Sequence, residues 1–443
     1  MSVHKTVERL QKHILADGER VVVDLERSQG SVLMDAESGQ ELVDFHGFIA
    51  SLPLGYNHPS VVSDDGYQEK LHRASQYRVA IPDIYHPYYA DFVEAFASTL
   101  PPEFRQHLFF IDGGTLAVEN AMKTAMDYKL RRNFNRDIHS KGYQVLHFKH
   151  AFHGRSGYCL SVTNTNDPRK YAHFAKFDWP RMEAPALYFD LEGCAHRDVA
   201  LEEQALAAIR AVLSGPRVDD ICAILVEPIQ GEGGDRHLSP EFLQGLRDLS
   251  RQFDSLLIFD EVQCGFGTTG KWWAFEHHSV APDLVAFGKK TQTCGIAATG
   301  YIDSVENTFT TPSRISSTWG GQLTDMVRCE KIIQVIRDEH LLRNITVQGE
   351  YLLAQLRQFA QQTGLIDNVR GRGSFLGFDV LDTPTRNEVR EQAKQEGCLF
   401  LVCGDVSLRF RPALTIQQWE IDRGLAILFK VLRRVAKPMT SKV

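Results

Sequence analysis

The sequence predicts an α/β protein, in which a large domain with a mostly parallel central sheet is joined to a smaller α+β domain. Three observations carry that expectation. Short runs that are apolar on both faces alternate with helical stretches from about residue 104 onward, the pattern of a buried parallel sheet. Glycines, carboxylates and a lysine stand at the carboxyl ends of those runs. A chain of 443 residues also exceeds what one ordinary core accommodates.

Taken in order, MSVHKTVERLQKHILADGER places Val7, Leu10, Ile14 and Leu15 at helical spacing among charges, and reads as a surface helix with no targeting segment. VVVDLERSQGSVLMDAESGQELVDF follows as short strands broken by turns, a small antiparallel meander. The apolar runs are HLFFID (107–112), YQVLHFKH (143–150), ICAILVEP (221–228), SLLIFDEV (255–262) and DLVAFGKK (283–290). Between the first two lies TLAVENAMKTAMDYKLRR, a helix whose Met122, Ala125, Met126 and Leu130 share one face. A helix from Glu202 to Leu213 lies between two of these runs and fits a crossover. Beyond residue 325 the chain is helix-rich, with strands near FLGFDV (375–380) and SLRFRP (407–412) and a last helix from Glu420 to Val435. The expected division is a large domain over 61–325, with 1–60 and 326–443 forming the small one.

Composition narrows the function classes. The net charge of -7, from 49 basic and 56 acidic side chains, and the lack of a basic block argue against nucleic acid. No stretch approaches the roughly 20 apolar residues of a membrane span. The eight cysteines are scattered without a C-x-x-C pair, which points to reduced, packed thiols and a cytoplasmic protein. A zinc site at His277, His278 and Cys264 lacks ligand spacing, and no metal is expected.

Ligands of open α/β sheets bind beyond the carboxyl ends of the strands, so those positions are the ones to read for chemistry. HLFFID runs into Gly113-Gly114-Thr115 and a helix start, which is either an anion-binding turn or a plain capped turn. YQVLHFKH runs into Phe152 and Arg155, an aromatic ring and a cation that could equally be a core residue and a surface ion pair. ICAILVEP brings Glu227 and then Glu232 in a glycine-rich loop, SLLIFD ends in Asp260, and DLVAFGKK brings Lys289 and Lys290. Each is ambiguous alone. Together they suit a cofactor with a phosphate, a flat ring, a ring nitrogen kept protonated and an aldehyde that an amine captures, namely pyridoxal phosphate.

The stretch IFDEVQCGFGTTGKWWAFEHHSVAPDLVAFGKK resembles the signature of the class III pyridoxal-phosphate aminotransferases, D-E-V-Q-x-G-x-G-x-T-G followed by the Schiff-base lysine. The resemblance spans nearly the whole chain. Where most of the class carries S-G-T-E-A-N and A-K-A-L-G-G, this chain has GGTLAV and FGKKTQ, which resemble the branch of the class that takes L-lysine as donor, as do SLPLGYNHP, AFHGRSGY, EPIQGEGGDRH, STWGGQLTDMVR and RFRPALT.

The resemblance implies a fold-type I transferase working as a homodimer. It makes Lys289 the Schiff-base lysine and Asp260 the partner of the pyridinium nitrogen, with Gln263 on the ring hydroxyl and Phe152 stacked on the ring. Gly114 and Thr115 would hold the phosphate, joined by Thr318 of a second subunit; Glu227 falls in the segment that shapes the pocket, and its role stays open. Lys290, its neighbour on a strand, would face away. Arg155 would bind the distant carboxylate of L-lysine or 2-oxoglutarate, Arg409 the near carboxylate of 2-oxoglutarate, and Glu232 would neutralise Arg409 when lysine is bound. Three alternatives stay open on sequence: an ornithine or 4-aminobutyrate aminotransferase, an epimerase or decarboxylase of the same fold, and a binding protein that has lost the chemistry.

Overall fold

Each of the five apolar runs becomes a strand of one sheet. The computed structural model describes residues 5–436. The sheet has seven strands in the order His107–Ile111, Cys294–Ala298, Leu284–Phe287, Leu256–Asp260, Ile221–Val226, Gln144–Phe148 and Arg181–Met182. All neighbouring pairs are parallel except those of Cys294–Ala298, which runs antiparallel to both of its neighbours. That strand is absent from the sequence reading. Its run, CGIAA, is short and poor in β-branched residues, so propensity gives it little signal.

Alternation along these strands feeds two cores. Ile224, Val226, Leu257, Phe259, Val285 and Phe287 enter one face, while Cys222, Leu225, Ile258, Leu284, Ala286 and Ile296 enter the other. Burial on both faces explains the unbroken apolar runs. On the second face lies the helix Gly114–Phe134. It is buried on more sides than the expected stripe: Asn120, Thr124, Tyr128 and Lys129 are buried too, and Cys159, Val162, Ile302 and Ile315 belong to the same core cluster as the helix. Lys129 is tolerated there because its Nζ donates to the carbonyls of Phe253 (3.1 Å) and Asp254 (2.9 Å). On the first face the helix Pro240–Gln252, capped by Ser239, buries Phe242, Leu243, Leu246 and Leu249 at helical spacing.

The chain ends build two smaller sheets. Asp367–Arg372, Phe375–Asp379, Ser407–Phe410 and Leu401–Cys403 form an antiparallel four-stranded sheet. Val32–Met34 and Glu41–Asp44 pair as the expected meander, and Cys398–Leu399 adds a parallel third strand from the far end of the sequence. The first helix is short, Thr6–Gln11, with no buried residue; residues 1–4 of the stretch read as helical lie outside those described. No described helix is long and apolar enough to cross a membrane, and all eight cysteines are free, seven of them buried.

Candidate active site

A cavity of about 600 Å³ opens at the carboxyl edge of the sheet. Gly113, Gly114, Thr115, Phe152, Glu227, Asp260, Gln263 and Lys289 line it, so four strand ends and a helix start converge as the topology requires.

The anion end is a bare helix start. Gly113 has φ +100 with open space where a side chain would be, and the 21-residue helix behind it has no side-chain cap, which leaves its first N–H groups for a ligand. Two carboxylates border this end, and each has an arginine partner. Asp112 accepts from Arg78 Nη2 at 2.5 Å, and Asp325 pairs with Arg328. Gly154, at φ +122, presses so close that a Cβ would stand 2.3 Å from Thr115 Oγ1.

Asp260 closes its strand and is buried, with Oδ2 2.8 Å from Nδ1 of the buried His153 and Oδ1 accepting from Val262 N at 3.0 Å. Among the described residues the buried Nε2 of His153 has no hydrogen-bond partner. Behind this pair Glu227 accepts from Phe152 N (2.9 Å) and Gly231 N (3.1 Å), fixing the backbone under the aromatic ring. Burial, reinforced by the charge of Asp260, pushes the Glu227 carboxyl up to about 7.

Lys289 sits where expected but for a different reason. The strand ends at Phe287, and Lys289–Thr291 form a 3₁₀ turn entered with Lys289 at φ +54. The two lysines part because of that turn, not because a strand alternates. Lys289 Nζ has no hydrogen-bond or ion-pair partner among the described residues. Burial and the charge of Arg409 hold its pKa below the ordinary value against the pull of Asp260 and Glu232, which favours a neutral, nucleophilic amine. Lys290 is buried on the other side, its Nζ donating to the Ala50 carbonyl at 3.1 Å. That carbonyl closes a rare turn: Gly47, Phe48, Ile49 and Ala50 all have positive φ, between 47° and 69°. Asp44 Oδ1 accepts from His46 N and Gly47 N, both at 2.8 Å, and Gln292 Nε2 donates to Ser51 O at 3.0 Å, so the turn is held at both ends beside the cavity wall at Ser51.

Behind the lining residue Gln263 lies a network of arginines that do not themselves line the cavity. Gln263 Oε1 accepts from Arg409 Nη1 (3.1 Å), Arg411 Nη2 (3.0 Å) and Arg411 Nε (3.3 Å), which leaves its amide N–H₂ as the donor available to a ligand. Arg411 is held by the fully buried Asp235 and stacks 3.4 Å over Phe375. Arg409 Nη2 donates to Glu232 Oε2 at 2.7 Å. Arg155 and Thr318 are not brought to this cavity by their own chain: both are exposed, Arg155 directly after the lining residue Gly154.

The family profile described as Aminotransferase class-III matches residues 14–432. The chain belongs to the class-III aminotransferases. The aminotransferase is 46% identical over 428 residues to L-lysine-epsilon aminotransferase of Mycobacterium tuberculosis, covering 96% of this chain and 94% of the relative. A solved lysine aminotransferase from M. tuberculosis superposes with TM-score 0.93 at 45% identity, covering 97% of this chain and 99% of that one. A mitochondrial 4-aminobutyrate aminotransferase of Mus musculus is more distant, 32% identical over 92% of this chain and 84% of the relative.

The cofactor of this class is pyridoxal phosphate, and the cavity of the aminotransferase fits it. The uncapped helix start suits a phosphate, Phe152 offers a ring face, the buried carboxylate of Asp260 suits a protonated ring nitrogen, and Lys289 presents an unpartnered amine. His153, Lys170 and the pair Asp235–Arg411 are functional neighbours that the sequence reading misses. His153 could have been noticed beside Phe152; nothing in the sequence points to Lys170, 62 residues from the Glu232 it meets.

Proposed function

We propose that the aminotransferase moves the terminal amine of L-lysine to 2-oxoglutarate, giving L-glutamate and 2-aminoadipate 6-semialdehyde, which cyclises to piperideine-6-carboxylate. The pair Arg409–Glu232 carries this reading. Lysine brings no carboxylate near the reacting carbon and 2-oxoglutarate brings one beside it, so a site serving both needs a cation that can be neutralised or offered. Arg409, buried and held at 2.7 Å by Glu232, is such a cation in its neutralised state. The 46% identity to a protein named for lysine, against 32% to one named for 4-aminobutyrate, favours the same donor.

Pyridoxal phosphate, when bound, supplies the aldehyde that carries the amino group and the ring that accepts electrons. Lys289 Nζ would take the proton from the substrate carbon and return it, a role that the lowering of its pKa by burial favours. Asp260, oriented by His153, would keep the ring nitrogen protonated. Gln263 would donate from its free amide nitrogen to the ring hydroxyl, Phe152 would cover the ring, and Gly114 and Thr115 would hold the phosphate; all four line the cavity. Arg155, exposed directly after the lining residue Gly154, would reach in to bind the distant carboxylate common to both substrates.

The phosphate end would be completed by Thr318 of the partner subunit in a homodimer. Tyr77 (74% exposed), Ile84 (79%) and Tyr85 (79%) lie in the same stretch of chain as the Arg78 that holds Asp112, exposed apolar side chains that a second copy would cover. Buried free thiols support a cytoplasmic location. The deciding experiment supplies L-lysine labelled with nitrogen-15 on its terminal amine together with 2-oxoglutarate. Label in glutamate supports the proposal. Faster glutamate formation from ornithine or 4-aminobutyrate, with lysine inert, would replace the donor.

A further inference from the structure

Glu232 has two cationic partners, one on each oxygen. Arg409 donates to Oε2 at 2.7 Å, and Lys170 Nζ donates to Oε1. Burial pushes the Glu232 carboxyl up, but Arg409 and Lys170 together outweigh it and hold it below the ordinary value. The backbone beneath is fixed. Gly404 N donates to the Glu232 carbonyl at 3.0 Å. On either side, a Cβ at Gly231 would lie 2.4 Å from Gln263 Oε1 and one at Gly233 would lie 2.2 Å from the His150 carbonyl. Only the side chain of Glu232 is therefore placed to move. It stands between Gln263, a cavity residue bonded to Arg409, and a second crevice of about 800 Å³ that Lys170, Arg386 and Arg390 line.

We infer that Lys170 is a positioning residue of the carboxylate switch, the partner that keeps Glu232 paired after it releases Arg409 to 2-oxoglutarate. The inference rests on the two-substrate reading above and deepens it. Without a second cation, opening the switch would leave Glu232 as a largely buried, unpaired carboxylate close to an incoming carboxylate, a state that both desolvation and repulsion oppose. With Lys170 in place, Glu232 exchanges two partners for one. The side chain of Lys170 is 18% exposed and lies 5.9 Å over the Phe152 ring, so it stays beside the site in either state. When lysine occupies the cavity the switch is closed, Arg409 already satisfies Glu232, and Lys170 matters less.

The test compares half-reactions of the holoenzyme in stopped flow, together with equilibrium binding of glutarate, a dicarboxylate that cannot react. Lys170→Met should lower kcat/KM for 2-oxoglutarate by roughly 10- to 100-fold, the range spanned by one charge-assisted hydrogen bond, and weaken glutarate by a similar factor. The lysine half-reaction should change by no more than roughly threefold, and Lys170→Arg should restore most of the loss. Equal losses in both half-reactions, or none in either, would overturn the role of Lys170. Glu232→Gln separates this from failure of the underlying reading. If it leaves the two half-reactions equally affected, the switch itself is wrong; if it affects them unequally while Lys170→Met does not, only Lys170 falls.

Discussion

Replacing Lys290 by methionine probes a charge that the fold buries next to Lys289 in the chain. Burial first, then the charges of Arg411 and Lys289, lower the Lys290 pKa from 10.5 to about 7. A fall of that size is worth about 5 kcal/mol of preference for the neutral amine. Below pH 7 both folded and unfolded chains carry the proton, and the full cost of burying the ammonium is present. Between pH 7 and 10.5 the folded chain releases its proton while the unfolded chain still holds one, so the wild type gains stability as pH rises. From pH 7 to pH 9 the gain attributable to Lys290 is about 2 kcal/mol. A methionine side chain cannot titrate, so the stability of wild type minus that of Lys290→Met should climb by that amount over the interval. The hydrogen bond to Ala50 O and the packing of methionine shift the difference by a constant and leave its slope alone. Denaturant midpoints of the two holoenzymes, taken at pH 7, 8 and 9 and one protein concentration, provide the measurement. A difference that is flat with pH, or that falls, would refute the claim that Lys290 is buried at the cost of its charge.

Two further substitutions test the site from its supports. Asp235→Ala should destabilise the protein by about 3–5 kcal/mol, because it strands the Arg411 guanidinium in a fully buried position; a loss under about 1 kcal/mol in thermal or denaturant unfolding would contradict that account. Gly154→Ala should weaken pyridoxal phosphate by roughly tenfold or more in equilibrium dialysis while far-UV circular dichroism stays unchanged, since the new Cβ displaces Thr115 and φ +122 is strained for alanine; unchanged affinity would mean that Thr115 has room to yield.

Much of this site is legible in the sequence because a parallel sheet gathers its strand ends. Once HLFFID, ICAILVEP, SLLIFDEV and DLVAFGKK are read as strands, Gly114, Glu227, Asp260 and Lys289 must lie along one edge. The reading of the lysine pair is right in outcome and wrong in cause. Alternation is a property of strands, and Gly288 ends the strand before Lys289 begins a 3₁₀ turn. The helix after Gly113 looks half-exposed in the sequence because periodicity counts only apolar residues, whereas this helix buries Lys129 by pairing its ammonium with two carbonyls.

The sequence by itself determined the fold class and which strand ends meet at the cavity, because burial on both faces writes continuous apolar runs and the topology turns their ends to one edge. Only the tertiary structure decided how charge is balanced there. Asp260 meets His153, Gln263 meets Arg409 and Arg411, and Glu232 meets Arg409 and Lys170 across separations of 62 to 177 residues. A buried charge is stabilised by whichever partner the fold brings within about 3 Å, and no local pattern along the chain records that distance.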